Sequence, residues 1–596
     1  MSLRLDIKEQ SPLERFWSLL IADKRDLVIL IIYTLINGLV SLAVPLAAQA
    51  LVNTIAAGIF LQPLVVLSLL VLAGLMFGCV LRMLKFCLVE NLQQRIFART
   101  TVTLGERIPA IKASALNTEY MPELINRFFD VVTIQKCWAK LLLEGPTALL
   151  QILIGLVLMA FYSPFLLAFD LIIILFILFA INILGVFGLR TSIEESVLKY
   201  RVAEWLEDMG RCQTGLKTNG FSQFLARRTD SLVLDYLRAR REHFSVLFRQ
   251  ALGTYFFQAV ASAGILAVGG WLVINRQLTL GQLVAAELVV LNVLGALEKL
   301  IRNCDTFYDL LTGLAKVGHI TDLPLERMDG LDLPERAEGL SVKCNQVRFA
   351  YEGRSEILAG LNLVIEGGQM ASLVGESGAG KTTLASVICG LQEARTGTIE
   401  IGGFDVRDLD LLSLRKQVGF VGEANEIFEG TIEENVSLGR PYVSHQDVRW
   451  ALDTAQFSND LVHLPEGLNT VLISGGRNLS RGQVQRILIA RAIAGHPKLL
   501  ILDEAFTGID EKTKLKIIEA LFSKSHHWTV MDISHDAEVV VRSDVVYLLA
   551  DGQIKESGSP ADLAWRQSSE FSMLFPDLAA QIRSVERRKK ERVASK

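Results

Sequence analysis

Residues 371–388 read ASLVGESGAGKTTLASVI, and this stretch decides the fold of the C-terminal half of the chain. A short apolar run predicts a buried strand, and the residues after it match the phosphate-binding pattern G-x-x-x-x-G-K-[ST]. The glycines let backbone N–H groups close around phosphate oxygens, and the helix that follows points its N-terminus at the same anion. We call residues 375–383 the phosphate loop; they are Gly375, Glu376, Ser377, Gly378, Ala379, Gly380, Lys381, Thr382 and Thr383.

Two side chains of the phosphate loop carry specific chemistry. Lys381 would reach the terminal phosphates of a nucleotide, and the hydroxyl of Thr382 would coordinate Mg²⁺. A pattern of this length occasionally matches by chance. Here a strand precedes it and a helix follows it, so we interpret it as a nucleotide site.

A second apolar run, KLLILDEAF at residues 498–506, ends in two acids that we call the acid pair. Asp503 would hold Mg²⁺, directly or through water, and Glu504 would polarise the attacking water as a general base. The alternative is a pair of surface acids at a strand end. The apolar run before the acids, and their position about 120 residues after the phosphate loop, argue against that alternative.

The composition indicates a membrane part joined to a soluble part. The chain has 596 residues, of which 51% are hydrophobic and 21% charged, and it is too long for one ordinary domain. A net charge of −4 gives no argument for nucleic acid as a partner. The cysteines show no CxxC spacing, so neither a zinc site nor a disulfide framework is predicted, and the polar N-terminus has no cleavable signal pattern.

Six long apolar runs occupy the first 320 or so residues, and most reach the length of about 18–20 residues that crosses a bilayer. The alternative, buried helices of a large soluble protein, is disfavoured by the number of runs. We predict membrane spans at residues 27–55, 64–81, 141–162, 165–189, 252–274 and 280–297.

The connectors between the runs predict the orientation. Three connectors are short and nearly uncharged, whereas the segments 90–140 and 190–249 are rich in lysine and arginine, which stay on the cytoplasmic side. Both chain ends and the soluble half are therefore predicted to be cytoplasmic. The two basic segments have helical periodicity, so we expect the membrane helices to continue into the cytosol and turn back there.

A few polar residues and one proline interrupt the predicted spans. A charge at bilayer depth normally faces a cavity or a partner. We expect Lys85 and Glu144 to lie near the interface and extend their polar ends toward it. For Asp170 and Glu287 the sequence leaves two alternatives, a substrate pathway or a packing role. Pro45 would kink the first span.

The soluble half carries a characteristic order of motifs. Tyr351 in VRFAYEG is followed by the phosphate loop, LSRGQ at 479–483, LLILDE, TGID at 507–510 and SHD at 534–536. This order resembles the ATP-binding cassette family over the whole soluble half. Six spans ahead of it look like the exporter-type half-transporters of that family, closest in look to bacteriocin and peptide exporters that lack a peptidase domain. The predicted fold is thus a membrane α-helical bundle with long cytoplasmic extensions, followed by an α/β nucleotide-binding domain.

The resemblance implies roles for further residues. Tyr351 would stack on adenine, Asp510 would contact a second cassette, and His535 would contact the γ-phosphate; the alternative for His535 is a surface histidine at a strand end. In this family two cassettes dimerise head to tail around ATP and Mg²⁺, so the partner is a second half-transporter chain, identical or not. The residues from the signature motif that would face the partner's ATP are Ser480, Arg481, Gly482 and Gln483.

The chain departs from the family pattern at two positions. The usual LSGGQ reads LSRGQ, with Arg481 in the first turn of a helix that Ser480 is predicted to cap. A cation there opposes the helix dipole, so we interpret Arg481 either as attracted to the partner's ATP or as the mark of a slow site. Glu423 stands where the family has glutamine, and it would still offer an oxygen to Mg²⁺ in the catalytic centre while altering the coupling to the membrane helices.

We therefore expect an ATP-hydrolysing export pump in a lipid bilayer, in the inner membrane of a bacterium. The alternative is an ATP-gated channel or a regulatory, non-pumping subunit, which Glu423 and Arg481 favour and the intact phosphate loop and acid pair oppose. The transported substrate stays open. The predicted organisation is a cytoplasmic segment 1–25, a transmembrane domain 26–320, a linker 321–340, a cassette 341–575 and a basic tail 576–596, which is either a solvated end or a contact to anionic lipid headgroups.

Overall fold

The computed structural model describes residues 11–56, 61–117, 119, 121–220, 223–422, 426–566 and 569–584. The chain divides into two compact units. One unit comprises Met1–Ala110 and Glu119–Pro324, and the other comprises Ile111–Thr118 and Leu325–Lys596. The short segment Ile111–Thr118 therefore belongs with the C-terminal unit, although 200 or so residues separate it from Leu325 along the chain.

The N-terminal unit is helical throughout its described part. Ser11 caps its first helix in a reciprocal capping box with Glu14. Its α-helices are α1 (Pro12–Ala22), α2 (Lys24–Ser41), α3 (Ala43–Ala56), α4 (Leu61–Arg107), α5 (Met121–Asn126), α6 (Asp130–Tyr162), α7 (Pro164–Phe179), α8 (Gly188–Arg211), α9 (Gln213–Thr218), α10 (Gln223–Ile274) and α11 (Leu280–Asp322).

Six helical segments of the described chain are long and apolar enough to cross a membrane, which confirms the predicted number of spans. They are Lys24–Ile55, Leu64–Ala110, Met121–Tyr162, Pro164–Leu184, Gln223–Ile274 and Leu280–Asp322. In five of them only 11 to 22% of the most apolar window is buried, so the apolar side chains face outward as they do in lipid. Several helices continue far beyond the apolar runs, as the periodicity of the connectors predicts.

The fourth span, predicted for residues 165–189, is interrupted near its C-terminal end. α7 gives way to a π-helical turn at Ala180–Leu184, Phe187 adopts a left-handed φ of 71°, and α8 begins at Gly188. Tyr308 of α11 lies against this break; a methyl group built on Gly188 would approach its Cε2 to 2.4 Å. The Tyr308 ring therefore occupies space that a side chain at position 188 would need. Tyr308 lies far from Gly188 along the chain, so the sequence near the break does not reveal this contact.

The first span also has a break, which bears on the predicted kink at Pro45. α2 ends at Ser41 and α3 begins at Ala43, four residues and two residues before the proline. Proline has no N–H to donate to the carbonyl four residues earlier, and its ring clashes with that carbonyl. The position of the break is the one that this clash predicts.

Among the polar residues of the spans, Lys85 behaves differently from the prediction. Its side chain does not extend outward: it is 7% exposed, and its ammonium donates to the carbonyl of Leu143. Asp170 is buried as well, and neither of its carboxylate oxygens has a hydrogen-bond partner among the described residues. Glu144 and Glu287 are half-buried. The choice between pathway and packing for Asp170 and Glu287 stays a prediction.

The C-terminal unit is built on three sheets. Their strands are β1 (Val342–Phe349), β2 (Leu358–Ile365), β3 (Met370–Val374), β4 (Thr396–Ile401), β5 (Phe404–Asp405), β6 (Val418–Val421), β7 (Gly430–Thr431), β8 (Val471–Leu472), β9 (Leu499–Asp503), β10 (Thr529–Ile533), β11 (Val545–Ala550) and β12 (Gln553–Gly558). An antiparallel sheet has the order β2-β1-β4-β5, a central sheet the order β12-β11-β3-β10-β9-β6, and β7 pairs with β8. In the central sheet only the β11–β12 pair is antiparallel.

Helices cover the central sheet and bury its strands. Every residue of β3, β9 and β10 is buried, which explains why these strands read as continuous apolar runs. The helices are α12 (Lys381–Ile388), α13 (Leu411–Gln417), α14 (Ile432–Ser437), α15 (His445–Thr454), α16 (Ser458–His463), α17 (Arg481–Ile493), α18 (Glu511–Leu521), α19 (Ala537–Arg542), α20 (Pro560–Trp565) and α21 (Glu570–Leu574), and 576–584 are also helical.

Candidate active site

Three parallel strands place the predicted site residues at one edge of the central sheet. β10 pairs with β3 on one side and with β9 on the other, and Ile533 is in register with both Leu373 and Asp503. The carboxyl ends of parallel strands lie at the same edge, which is where ligands bind in such sheets. The phosphate loop follows β3, the acid pair ends β9, and His535 follows β10.

The phosphate loop needs glycine at two positions for different reasons. At Gly375 a methyl group would lie 2.2 Å from the carbonyl oxygen of Leu549, so the backbone passes too close to β11 for a side chain. At Gly380 the φ of 101° is left-handed, and α12 begins at the next residue. The loop therefore turns tightly and presents the N-terminus of α12 to the space above the sheet, as the sequence predicts.

Lys381 is held inside the phosphate loop. Its ammonium donates to the carbonyl oxygens of Gly375 at 2.7 Å and Glu376 at 2.9 Å, and the residue is 9% exposed. Burial lowers the pKa of this ammonium, and the charges of Glu504 and Asp503 oppose that shift. The cation is therefore preplaced beside the two acids, where a phosphate chain would complete its neutralisation.

The acid pair has one buried and one exposed member. Asp503 is 8% exposed at the end of β9, whereas Glu504 is exposed and has a left-handed φ of 51°. A non-glycine residue in this conformation is uncommon, and such strain persists where the surrounding structure imposes it, often at active sites. Here the N–H of Glu504 donates to the carbonyl of Ile533 at 2.9 Å, which locks the turn; the sequence carries no signal of it.

One cavity of about 470 Å³ brings together the phosphate loop, the acid pair and His535. Its polar lining comprises Ser377, Lys381, Thr382, Thr383, Asp503, Glu504 and His535. His535 is exposed and faces this space from the loop after β10. The structure thus groups a cation, three hydroxyls, two carboxylates and an imidazole around one space, and these groups come from three separate stretches of sequence.

The signature turn, residues 480–483, has the predicted cap. The Ser480 hydroxyl accepts from the Gln483 N–H at 3.2 Å, and the Gln483 side chain accepts from the Ser480 N–H at 2.8 Å. The aliphatic stem of the exposed Arg481 lies against Gly508: a methyl group built on Gly508 would be 3.1 Å from both Cγ and Cδ of the arginine. At Gly482 a methyl group would meet the Gly508 carbonyl at 2.7 Å, so the signature turn and the TGID turn are in close contact.

A second cavity of about 680 Å³ extends from the acid pair to the signature turn of the same chain. Glu504, Thr382, Arg477 and Arg481 contribute to its lining. Its lining thus includes two guanidinium groups as well as the two carboxylates of the acid pair. Arg477 was not among the predicted site residues, and only its place two residues before LSRGQ could have drawn attention to it.

The signature helix α17 is fixed by a network that the sequence analysis missed. Asp460 accepts from the Gln483 side-chain amide at 2.8 Å and from Arg486 at 2.6 Å, and Arg486 also donates to the carbonyl of Gln456 at 2.6 Å. Gln483 is thus engaged within its own chain. About twenty residues separate Asp460 from the signature turn, and no pattern links them in the sequence.

Three further predicted residues, Tyr351, Asp510 and Glu423, lie apart from the phosphate loop, the acid pair and the signature turn or outside the described structure. Tyr351 follows β1 and packs edge-on against Phe349, with ring centroids 4.9 Å apart, and it lines neither cavity. Asp510 is exposed and caps α18 by accepting from the Thr513 N–H at 3.0 Å, which lowers its pKa. Glu423 lies outside the described residues, so its predicted roles as a metal ligand and a catalytic residue stay predictions.

Asp532 is an unexpected acid in the middle of β10. It is fully buried; one oxygen accepts from the Ser534 hydroxyl at 2.7 Å, and the other has no partner among the described residues. Burial raises the pKa of this carboxyl to about 8, and Asp536, Glu504 and Asp503 add to the shift. The neutral Asp532 therefore holds Ser534, the residue next to His535, through a hydrogen bond from within the sheet.

We expect Asp532→Asn to remove a pH dependence of stability. The unfolded chain ionises this carboxyl above its ordinary value of 3.8, whereas the folded protein keeps it protonated up to about 8, so the wild type loses stability as pH rises between these values. The amide of the variant does not titrate. The melting temperature of Asp532→Asn minus that of the wild type should therefore increase by a few degrees from pH 5 to pH 8. Scanning fluorimetry of the full-length protein measures the gap. Asp551→Asn, at a side chain 87% exposed, is the control, and a gap that stays constant with pH would refute the assignment.

Comparison with known families bears on this site. Residues 358–507, which hold the phosphate loop, the signature turn and the acid pair, match the family model described as ABC transporter. The chain carries an ABC transporter domain. Ahead of this domain, the six apolar helices of the N-terminal unit make the chain a multi-pass membrane protein.

Curated relatives of this chain are matched over part of their length. An uncharacterized ABC transporter ATP-binding protein of Sinorhizobium fredii is 30% identical over 60% of this chain and 62% of its own length. Another from Bacillus subtilis, YfiC, is 34% identical over 52% of each chain. An ATP-dependent lipid A-core flippase of Syntrophus aciditrophicus is 31% identical over 54% of each. The chain spans between half and two thirds of the length of these relatives in the matched regions.

A solved structure agrees with the fold of the chain over most of its length. A bacterial Atm1-family ABC exporter with ATP bound superposes with a TM-score of 0.79, covering 95% of this chain and 98% of that one. The sequences are 23% identical, so the likeness concerns the fold. Six membrane helices followed by an α/β cassette is the ABC exporter fold, and the predicted fold class is confirmed.

Proposed function

We propose that this chain is one half of a pump that uses ATP hydrolysis to export a substrate across a membrane. The observation that carries the proposal is the cavity that unites Lys381, Thr382, the acid pair and His535 on an ABC transporter domain joined to six apolar helices. Each functional group that hydrolysis requires is present there, which opposes the regulatory alternative. The names of the relatives, which include ATP-dependent flippases, support transport driven by ATP.

The residues of this chain would divide the work as follows. The phosphate loop and Lys381 bind the phosphates of ATP, and Tyr351 would close on the adenine. Thr382 and Asp503 supply hydroxyl and carboxylate oxygens to one cavity, and oxygen donors of this kind suit Mg²⁺. The ion, when bound, would neutralise developing charge on the phosphates.

Hydrolysis itself would rest on two further residues. Glu504 holds its carboxylate in the cavity through its strained backbone and would accept the proton of the attacking water. His535 would donate to the γ-phosphate from the opposite wall. Two separate turns, one after β9 and one after β10, would thus act on the same phosphate group.

A second chain would complete each site. Arg481 and Asp510 are exposed, as residues that meet a partner must be, and the signature turn presents the N-terminus of α17 outward. A homodimer is favoured over a heterodimer because this chain has both an intact phosphate loop and an intact acid pair, so that two copies give two complete sites.

The proposed placement is the inner membrane of a bacterium, with both chain ends and the cassette cytoplasmic. The distribution of lysine and arginine between the connectors supports it. The division of the chain at Pro324 supports a linker within 321–340 between a transmembrane domain 26–320 and a cassette 341–575.

Arg481 is the observation that favours the alternative of a gated channel or regulatory subunit, and its substitution separates the two. If its charge attracts the partner's ATP, Arg481→Gly should lower ATPase activity about three- to tenfold, Arg481→Lys should retain it, and Arg481→Met, which keeps the stem on Gly508, should lie between. ATPase rates of the purified variants in lipid give the answer. A higher rate in Arg481→Gly would instead identify a site that arginine slows.

The proposed function is tested by the Mg²⁺-dependent ATPase activity of the full-length chain, purified alone and reconstituted in lipid nanodiscs, together with its mass in solution. Activity that chelation with EDTA abolishes, from a particle of two chains, supports the homodimeric pump. ATP binding without hydrolysis in the isolated chain would favour a missing partner half or the regulatory function.

A further inference from the structure

A cavity of about 240 Å³ lies between α2, α4 and α6 in the membrane part of the chain. It is separate from the ATPase site and none of its residues belongs to the motifs of the cassette. Its polar lining comprises Tyr33, Thr34, Asn37, Arg82, Lys85 and Thr147. A cavity in a membrane bundle that is lined by two cations, two hydroxyls, a phenol and an amide is built for a polar occupant.

Lys85 is a buried cation that lacks an acid. Its ammonium donates to the Leu143 carbonyl and to the Thr147 hydroxyl, each at 2.6 Å, and no carboxylate pairs with it among the described residues. Glu144, the acid nearest to these acceptors in sequence, does not line the cavity. Taking a charge out of water costs several kcal/mol unless an opposite charge compensates it. The Leu143 carbonyl and the Thr147 hydroxyl are neutral, so the opposite charge would have to come from a molecule bound in the cavity.

Arg82 lies one turn from Lys85 on α4 and lines the same cavity. In the described structure it forms neither a salt bridge nor a hydrogen bond, although it is exposed and free to do so. The cations further along α4 differ: Arg95 pairs with Asp26 and Asp23, and Arg99 pairs with Asp23. Arg107, at the C-terminal end of α4, donates to the carbonyl of Thr321 and also has no carboxylate partner among the described residues. Arg82 and Lys85 are therefore the cations of α4 that lack an acid and line this cavity.

The depth of the cavity matches the headgroup level of a bilayer. Arg82 lies about 27 Å along α4 from Leu64, where the second candidate span begins. Asn37 lies about the same distance before Ile55, where the first candidate span ends. The hydrocarbon core is about 30 Å thick, so both helices place the cavity at its far boundary from the short connector, where lipid phosphates lie.

We propose that this cavity binds a phosphate-bearing anion, with Lys85 and Arg82 as its cationic ligands and Asn37, Tyr33 and Thr147 as hydrogen-bonding neighbours. The fork of Arg82 suits two phosphate oxygens, and Lys85 adds a point charge from inside the bundle. The same chemistry fits the headgroup of an anionic phospholipid or a free phosphate ester. The site does not depend on the proposed ATPase function.

The test titrates the full-length protein in detergent with phosphatidic acid and with phosphatidylcholine of the same acyl chains, and counts bound lipid by native mass spectrometry. The wild type should bind phosphatidic acid about tenfold more tightly, and Lys85→Met and Arg82→Gln should each reduce that affinity about tenfold. Arg95→Gln is the matched control, because it makes the same change of charge on α4 at a cation that is already paired, and it should leave the preference unchanged.

Competition separates the two sources of phosphate. Displacement of phosphatidic acid by millimolar glycerol 3-phosphate or inorganic phosphate supports a free anion as occupant, and retention supports the lipid headgroup. Equal binding of the two lipids, or a loss in Arg95→Gln as large as in Arg82→Gln, overturns the proposal. Should Lys85→Met fail to fold, the exposed Arg82 still decides the matter. ATPase activity plays no part in this readout, so its loss would not count for or against the site.

Discussion

Glu504→Gln should reduce ATP hydrolysis by about a hundredfold or more while ATP binding persists. The substitution keeps the shape of the side chain and its contact with Thr507, whose hydroxyl lies 3.4 Å from the carboxylate. It removes the negative charge of the carboxylate and with it the capacity to accept a proton from water. Since the backbone of Glu504 is fixed by the carbonyl of Ile533, the amide should occupy the same place in the cavity.

The measurement is the Mg²⁺-ATPase rate of the full-length protein in lipid, with ATP binding measured in parallel. Glu511→Gln serves as the control, because it neutralises an acid a few residues away that is 67% exposed, pairs with Lys514 and lines neither cavity. A Glu504→Gln protein that hydrolyses ATP within a fewfold of the wild type would show that another group accepts the proton.

Lys381→Met should weaken ATP binding about ten- to hundredfold. Methionine nearly fills the volume of the buried lysine stem, so the loop should keep its shape, but the hydrogen bonds to Gly375 and Glu376 and the positive charge disappear. The positive charge has two effects on binding. It would attract the phosphates directly, and it would offset the repulsion between the Asp503 carboxylate and ATP. Binding should therefore fall more steeply than one lost hydrogen bond implies.

Equilibrium binding of a fluorescent ATP analogue in the presence of EDTA isolates the contribution of the lysine from that of Mg²⁺. Lys416→Met is the matched control: it removes an exposed lysine of the same unit that pairs with Glu335. An affinity unchanged in Lys381→Met would mean that the backbone N–H groups of the loop hold the nucleotide without the cation.

The cassette was predictable because each of its functional turns carries its own local signature. Glycines that only a tight loop requires, an apolar strand before two acids, and Ser480 with Gln483 three residues later each report on structure within a few residues. The order of strands in the sheet then brings them together. The left-handed turn at Glu504 has no such signature, since it is imposed by a hydrogen bond from the neighbouring strand.

The membrane unit was predictable in number of helices and not in their interior details. Hydropathy reports the length of a span, but the break after α7 depends on Tyr308, which is more than a hundred residues away. The inward turn of Lys85 likewise depends on acceptors in α6. The burial of Asp532 and its hydrogen bond from Ser534 could not be predicted for the same reason, because the sequence of a strand does not show which groups surround a residue inside the sheet.

The length of the 52-residue α10 means that a small tilt of this helix would displace its far end by a large distance. At 1.5 Å per residue it is about 78 Å long, against about 30 Å of hydrocarbon, so more than half of it extends beyond the membrane. If it pivots as a rigid rod about its short-connector end, a tilt of only 5° displaces the opposite end by about 7 Å. Its packed neighbour α8 is separated from α7 by the break at Ala180–Leu184, so α8 could follow α10 while α7 keeps its place in the bilayer. A small tilt of α10 within the bilayer would thus accompany a large displacement of the end that lies outside it.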